Sequence, residues 1–370
     1  MADIKHATLA YNILISLVEK TGNLFFSEVE EHFLHQTKTL ISPYPTAIIG
    51  NHVSEIDIAA LAIVYTRLSP QIKMTIPARE DIMRKNFLTT EFRTRGITKL
   101  ILSLIDKSNL IPLLLGYIGC MPIKRPFRDN TRELLKKGEL RDTVDAEWNT
   151  LVENIDKGRN LFMFPEGTYN QDGFLNQIKK GVFYLKNKVE DIHFNSFNLT
   201  YDTLSFKKAK LHITYGIPFK IGKEDNSDIV TKTIQDKLGG TYAITLGNLI
   251  SYLLLKLEES SVVPIEKFSQ ALISLKNQIS DSHPELMIGS ELKKITEPKA
   301  LEFVFDKLQK LKYVSLSEGK VKILGALTTI PKTMNHLKKH NLVLYHKNQL
   351  TKHLEKIDTI FDSSVKSLVS

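Results

Sequence analysis

A chain of 370 residues is long enough to bury a large core, and 50 Lys and Arg against 41 Asp and Glu give it a formal net charge of +9. That balance favours an anionic partner: a lipid headgroup, a phosphorylated substrate or nucleic acid. The single cysteine, Cys120, lies in an apolar stretch, which excludes a disulfide framework and a cysteine-based metal site and fits a reducing compartment.

In chain order, residues 7–33 carry Leu9, Ile13, Leu17, Val18, Phe25 and Phe26 at helical spacing, with a break at Thr21-Gly22. One or two amphipathic helices are expected there, packed on their own domain or lying on a membrane surface. No signal-peptide cleavage site follows, so the segment reads as retained. Residues 46–50, Thr-Ala-Ile-Ile-Gly, form a buried-strand pattern that runs into Asn51-His52, and a helix is expected over 55–68. Residues 110–123 are the most apolar run, but Pro112, Gly116, Gly119 and Pro122 interrupt it well short of the roughly 20 residues that cross a bilayer.

The strand-loop-helix rhythm returns at 160–164, which ends in Pro165-Glu166-Gly167-Thr168 before a helix near 178–187, and strands are expected at 194–200 and 211–215. Residues 222–233 read as an exposed polar loop. This alternation predicts an α/β fold, a mixed β-sheet flanked by helices, with polar residues at the carboxyl ends of strands, where open sheets place their sites. Beyond about residue 260 the pattern becomes mainly helical, with a hairpin at 313–324 around Glu318-Gly319. The division expected is 1–45 for amphipathic helices, 46–245 for the sheet domain and 260–370 for a mainly helical region.

Two segments carry chemistry. In Asn51-His52-Val53-Ser54-Glu55-Ile56-Asp57, a histidine and an aspartate stand five apart. A histidine takes a proton from a hydroxyl when a carboxylate holds its other ring nitrogen and stabilises the imidazolium. On a regular helix that spacing puts them on different faces, so His52 must sit in the loop and Asp57 in the helix's first turn. The same spacing also makes a capping box with Ser54. In Phe164-Pro165-Glu166-Gly167-Thr168, a glycine beside a carboxylate at a strand end lets backbone approach a ligand. Between them, Gly119-Cys-Met-Pro-Ile-Lys-Arg125 ends in cations, with Arg128 nearby, and arginine suits bidentate phosphate binding.

Asn-His-x-Ser-x-x-Asp, Gly-x-x-x-Ile-x-Arg and Phe-Pro-Glu-Gly-Thr, in that order, resemble the glycerolipid acyltransferases, the family of lysophosphatidate and glycerol-3-phosphate acyltransferases with the HX4D motif. The likeness spans about residues 47–222, including Asn198-Leu-Thr-Tyr-Asp202 and Gly216-Ile-Pro218. It implies acyl transfer from acyl-CoA or acyl carrier protein to a hydroxyl of 1-acyl-glycerol 3-phosphate or glycerol 3-phosphate, with no other cofactor and no metal. His52 would be the general base and Asp57 its orienter. Arg125 would hold the acceptor phosphate, with Glu166, Gly167 and Thr168 in acceptor binding. A lipid product implies a peripheral protein docked on the cytoplasmic face of a membrane. Tyr169 departs from a frequent arginine and Ser196 from a frequent proline, which leaves the acceptor less defined than the reaction. A rival reading takes Lys307, Lys310, Lys312, Lys320 and Lys322 around the 313–324 hairpin as a winged-helix module for nucleic acid or protein. Lysines on amphipathic helices are mostly solvated, so no nucleic acid is expected.

Overall fold

The computed structural model describes residues 25–35, 44–54, 57–67, 73–79, 86–91, 95–123, 139–169, 171–295, 298–331 and 337–369, together with 9, 12, 13 and 16. A seven-stranded sheet organises the chain: β1 (Glu28–Phe33), β2 (Thr46–Gly50), β3 (Met74–Arg79), β4 (Cys120–Ile123), β5 (Asn160–Met163), β6 (His193–Asp202) and β7 (Lys210–Tyr215), in the order β1-β7-β6-β2-β5-β3-β4. Every pair is parallel except β6 with β7. The carboxyl ends of β2, β4, β5 and β6 therefore share one edge, and the segments singled out above leave the sheet there.

Strands β2 and β6 are buried almost end to end because both faces are covered. On one face Ile48, Phe162 and Tyr201 pack with Ala60, Val64 and Tyr65 of α1 (Asp57–Thr66). On the other, Ala47, Ile49, Leu161 and Phe194 meet α5 (Glu139–Asp156), α6 (Gly181–Lys188) and α7 (Ser227–Gly239). Helix α7 contributes Val230, Ile234 and Leu238, all fully buried at one-turn spacing, each adding about 1.5–3 kcal/mol of apolar burial. Short helices α2 (Phe87–Glu91), α3 (Gly96–Ser108) and α4 (Leu110–Tyr117) lie between β3 and β4.

Two expectations need correction. Residues 28–33 are an edge strand and not helix: Val29 and Phe33 reach the core while Glu30 and His32 alternate with them, a period of two that pairing with β7 rewards. The polar loop at 222–233 ends early, because the Asn226 side chain accepts from the Asp228 and Ile229 N–H groups and caps α7. The apolar run 110–123 divides into α4 and β4 at Gly119, whose φ of 101° and close approach to the Met74 carbonyl exclude a side chain.

The remainder comprises α8 (Leu246–Leu255), α9 (Ile265–Ser282), α10 (Pro298–Lys310), α11 (Leu337–His340), α12 (Leu342–Gln349) and α13 (Thr351–Val369), built mostly on a second core, while Leu337 of α11 and Tyr345 of α12 join the core of the sheet. With β8 (Val262–Pro264), β9 (Val314–Ser317) and β10 (Lys320–Ile323), the order from α8 is helix-strand-helix-helix-hairpin around an antiparallel β8-β10-β9 sheet, a winged-helix arrangement. The turn at Glu318-Gly319, both at positive φ, closes the expected hairpin. Helix α10 exposes Glu302 and Asp306 beside Lys310, and Lys307 turns inward to donate to the Thr203 and Phe206 carbonyls. Among the described residues its outer face thus lacks the unopposed positive charge that a nucleic-acid site needs.

Candidate active site

Strand β2 ends where a side chain replaces its backbone. Beyond the last pair, Gly50 with Phe197, the Asn51 amide takes over: Leu199 N–H donates to Oδ1 at 2.6 Å, and Nδ2 donates to the Leu199 carbonyl at 3.0 Å and to the Tyr242 hydroxyl at 3.2 Å. The main chain is released to turn into the loop that holds His52. Gly50 permits this packing because a Cβ there would sit 2.0 Å from the Phe197 ring.

Asp57, at the head of α1 and 1% exposed, gathers the loop. Its Oδ2 accepts from Val53 N–H at 2.6 Å and Ser54 N–H at 3.0 Å, and lies 2.7 Å from His52 Nδ1. Its Oδ1 accepts from the Tyr201 hydroxyl at 2.6 Å. Burial first, and Asp57 second, push the Tyr201 phenol well above its ordinary range, so it stays a donor. The capping role and the histidine-orienting role of Asp57 thus coexist: the carboxylate that closes the turn also fixes the imidazole tautomer with Nδ1 protonated. Nε2 has no partner among the described residues. The ring lies flat on Phe164, centroids 4.4 Å apart, and meets Tyr169 edge-on at 5.2 Å, so two aromatics wall the histidine and leave its side chain 19% exposed. The position where arginine is frequent is one of these walls.

Glu166 does not face outward. It is 1% exposed, with Oε1 accepting from His52 N–H at 2.6 Å and Oε2 from Asn176 N–H at 2.7 Å, so it braces the His52 loop against the 171–176 segment. Burial pushes its carboxyl up to about 8, against the two N–H groups that favour the anion. Gly167, at φ 71°, and Thr168 are exposed beside it. Lys124, Arg125 and Arg128 lie outside the described residues, while the carboxyl end of β4 that precedes them shares the edge with His52.

The C-terminal region also reaches this site. Asn348 Nδ2 donates to the Asp172 carbonyl at 2.8 Å, Lys338 N–H to the Gln171 carbonyl at 2.9 Å, and Tyr345 is fully buried in the same core as Tyr201. Gly173, at φ 86°, lies so close that a Cβ would be 2.2 Å from the Tyr345 carbonyl. Sequence reasoning missed Tyr201, Asn176 and this support. The available signal was a tyrosine inside an otherwise buried strand, whose hydroxyl must find a partner.

Among the described residues, Glu30, His32 and His212 have ligand atoms within 4.8 Å of one another. The two imidazoles are nearly coplanar, at 9°, with centroids 5.6 Å and nitrogens 3.3 Å apart, so their nitrogens point at each other and not at a common centre. The ammonium of Lys210, 2.8 Å from Glu30 and 2.9 Å from Glu291, supplies the positive charge of this buried cluster.

Residues 32–194 match the family model described as Acyltransferase. Among solved structures, the chain is similar to the 1-acyl-sn-glycerophosphate acyltransferase PlsC from Thermotoga maritima, with a TM-score of 0.38 and 13% identity over 61% of this chain and 75% of that one. No curated protein matches.

Proposed function

We propose that this chain, whose residues 32–194 match the acyltransferase family model, moves a fatty acyl group from an acyl thioester to the free hydroxyl of a 1-acyl-glycerol 3-phosphate, forming phosphatidic acid. One observation carries the reading: the imidazole of His52 is tied through Nδ1 to Asp57 and held between two aromatic rings at the carboxyl edge of the sheet, with Nε2 left for substrate. Nε2 takes the proton as the acceptor oxygen attacks the thioester carbonyl, and Asp57 stabilises the imidazolium. Collapse of the tetrahedral intermediate breaks the C–S bond, and the proton passes to the leaving thiolate. The donor, acyl-CoA or acyl carrier protein, is a substrate, and no residue need become acylated. Arg125 with Lys124 and Arg128 suits the acceptor phosphate, and exposed Gly167 and Thr168 border the acceptor's path. Glu166 acts by holding the loop. A lipid product sets the reaction at a membrane surface, on the cytoplasmic side.

The test is turnover of His52→Ala and Asp57→Asn variants shown to be folded. Each should lose about 100-fold or more on 1-acyl-glycerol 3-phosphate. Wild-type turnover in either variant refutes the mechanism, and a wild-type preference for glycerol 3-phosphate over its 1-acyl derivative refutes the acceptor assignment.

A further inference from the structure

Helix α3 presents Ile97, Leu100, Ile101 and Leu104 on one stripe, at i, i+3, i+4 and i+7, and these are 78, 62, 51 and 59% exposed. After the left-handed residue Asn109, helix α4 adds Leu110 and Leu113, about half exposed. Six large aliphatic side chains in 17 residues of sequence make a patch that a soluble surface does not carry without use.

The polar capacity of α3 is spent elsewhere. Its one acid, Asp106, is buried and accepts from the Leu88 and Thr89 N–H groups and the Thr89 hydroxyl, which anchors the hairpin to α2. Arg95, Lys99 and Lys107 are exposed on the same helix and its N-cap, Lys107 beside the stripe and Lys99 on the opposite face, and no exposed acid occurs among residues 95–119. An apolar stripe on a helix whose exposed charges, among the described residues, are all cationic, and which is too short to cross a membrane, is the signature of a helix that lies in an anionic lipid interface. A protein partner or second copy would leave that one-sided charge unexplained. Helix α4 runs directly into β4, whose carboxyl end shares the sheet edge with His52.

We infer that the α3–α4 hairpin docks the protein on an anionic bilayer, with Ile97, Leu100, Ile101 and Leu104 in the acyl region and Arg95, Lys99 and Lys107 among the headgroups. The inference rests on the lipid-acceptor reading for its occupant; of the two segments the sequence offers for docking, residues 7–33 and the apolar run 110–123, it takes the start of the second and adds helix α3.

The test is co-sedimentation of the full chain with phosphatidylcholine vesicles, with and without phosphatidylglycerol. Wild-type protein should bind the anionic vesicles more tightly and release as salt rises. Leu100→Ser with Ile101→Ser and Leu104→Ser should lower partitioning about tenfold or more. Lys99→Glu with Lys107→Glu should erase the anionic preference, about fivefold for each cation removed. Both variants should keep the wild-type unfolding temperature and wild-type turnover of a short-chain, water-soluble acceptor. Failure of wild-type protein to bind anionic vesicles at low salt overturns the proposal. So does wild-type binding by the apolar variant, release by Leu9→Ser with Ile13→Ser in its place, or a fall in sedimentation mass without loss of vesicle binding. If the soluble acceptor is never turned over while vesicle binding responds as stated, the docking surface stands and the acyl-transfer reading falls.

Discussion

Replacing Tyr201 with phenylalanine removes one oxygen from the site and nothing else. The ring stays in its buried place near Phe26, centroids 6.1 Å apart, so no cavity opens. What is lost is the donor to Asp57 Oδ1. The two carboxylate oxygens are unequally served: Oδ2 contacts His52 Nδ1, Val53 N–H and Ser54 N–H, while Oδ1 accepts from the Tyr201 hydroxyl. A hydrogen bond to a charged group contributes about 1.5–3 kcal/mol, and in a side chain 1% exposed water cannot easily replace it. Tyr201→Phe should therefore destabilise the protein by about 1.5–3 kcal/mol. Because Oδ2 still holds the imidazole, turnover should fall only about tenfold or less, whereas Asp57→Asn, which disturbs the tautomer, costs about 100-fold or more. Urea unfolding and turnover, measured on both variants, separate the two effects. If Tyr201→Phe leaves stability unchanged and cuts turnover as deeply as Asp57→Asn, the phenol acts in the reaction and the bracing argument is wrong.

Two predictions concern pH. Glu166 is raised from an ordinary 4.5 to about 8, so the folded state holds its proton more tightly than the unfolded chain, and stability should fall as pH rises from 4.5 towards 8, by up to about 1.4 kcal/mol per pH unit. Glu166→Gln should flatten that slope in urea midpoints, and an unchanged slope would assign it to another group. Glu30 and Glu291 behave in the opposite sense: burial raises both, but it is outweighed by Lys210 and Ser290 at Glu30 and by His212 and Lys210 at Glu291, which hold each at about 2. The stability they add is present above 4.5 and lost as pH falls towards 2. Lys210→Met leaves these carboxylates uncompensated and should cost about 3–5 kcal/mol near neutral pH, with a smaller penalty in acid. An acid-independent loss would show that Lys210 matters only for packing.

The strand-loop-helix unit from Thr46 to Thr66 was legible because its physics is local: a continuously buried strand, loop residues, then an acid that can cap a helix. The turn at Glu318-Gly319 was readable for the same reason. What escaped depended on partners far along the chain. Glu28–Phe33 becomes a strand only because β7 lies beside it 180 residues later in sequence, as His32 and His212 illustrate. Glu166 looked like an acceptor-binding group, since nothing nearby announces that His52 and Asn176 N–H groups will occupy both of its oxygens. Tyr201 sat in a block already noted for its likeness, yet its role depends on Asp57, 144 positions away.

The contact between Asn348 and Asp172 spans 176 residues, so the candidate site is completed only by the end of the chain. The segment that supplies His52, Asp57 and Glu166 leaves the ribosome long before α12 exists, and until then the 171–176 turn lacks the wall against which Gly173 is pressed. Catalytic competence should appear late in synthesis, as a step and not a ramp, and a nascent chain stalled short of residue 348 would hold its histidine in a loop with one side still open.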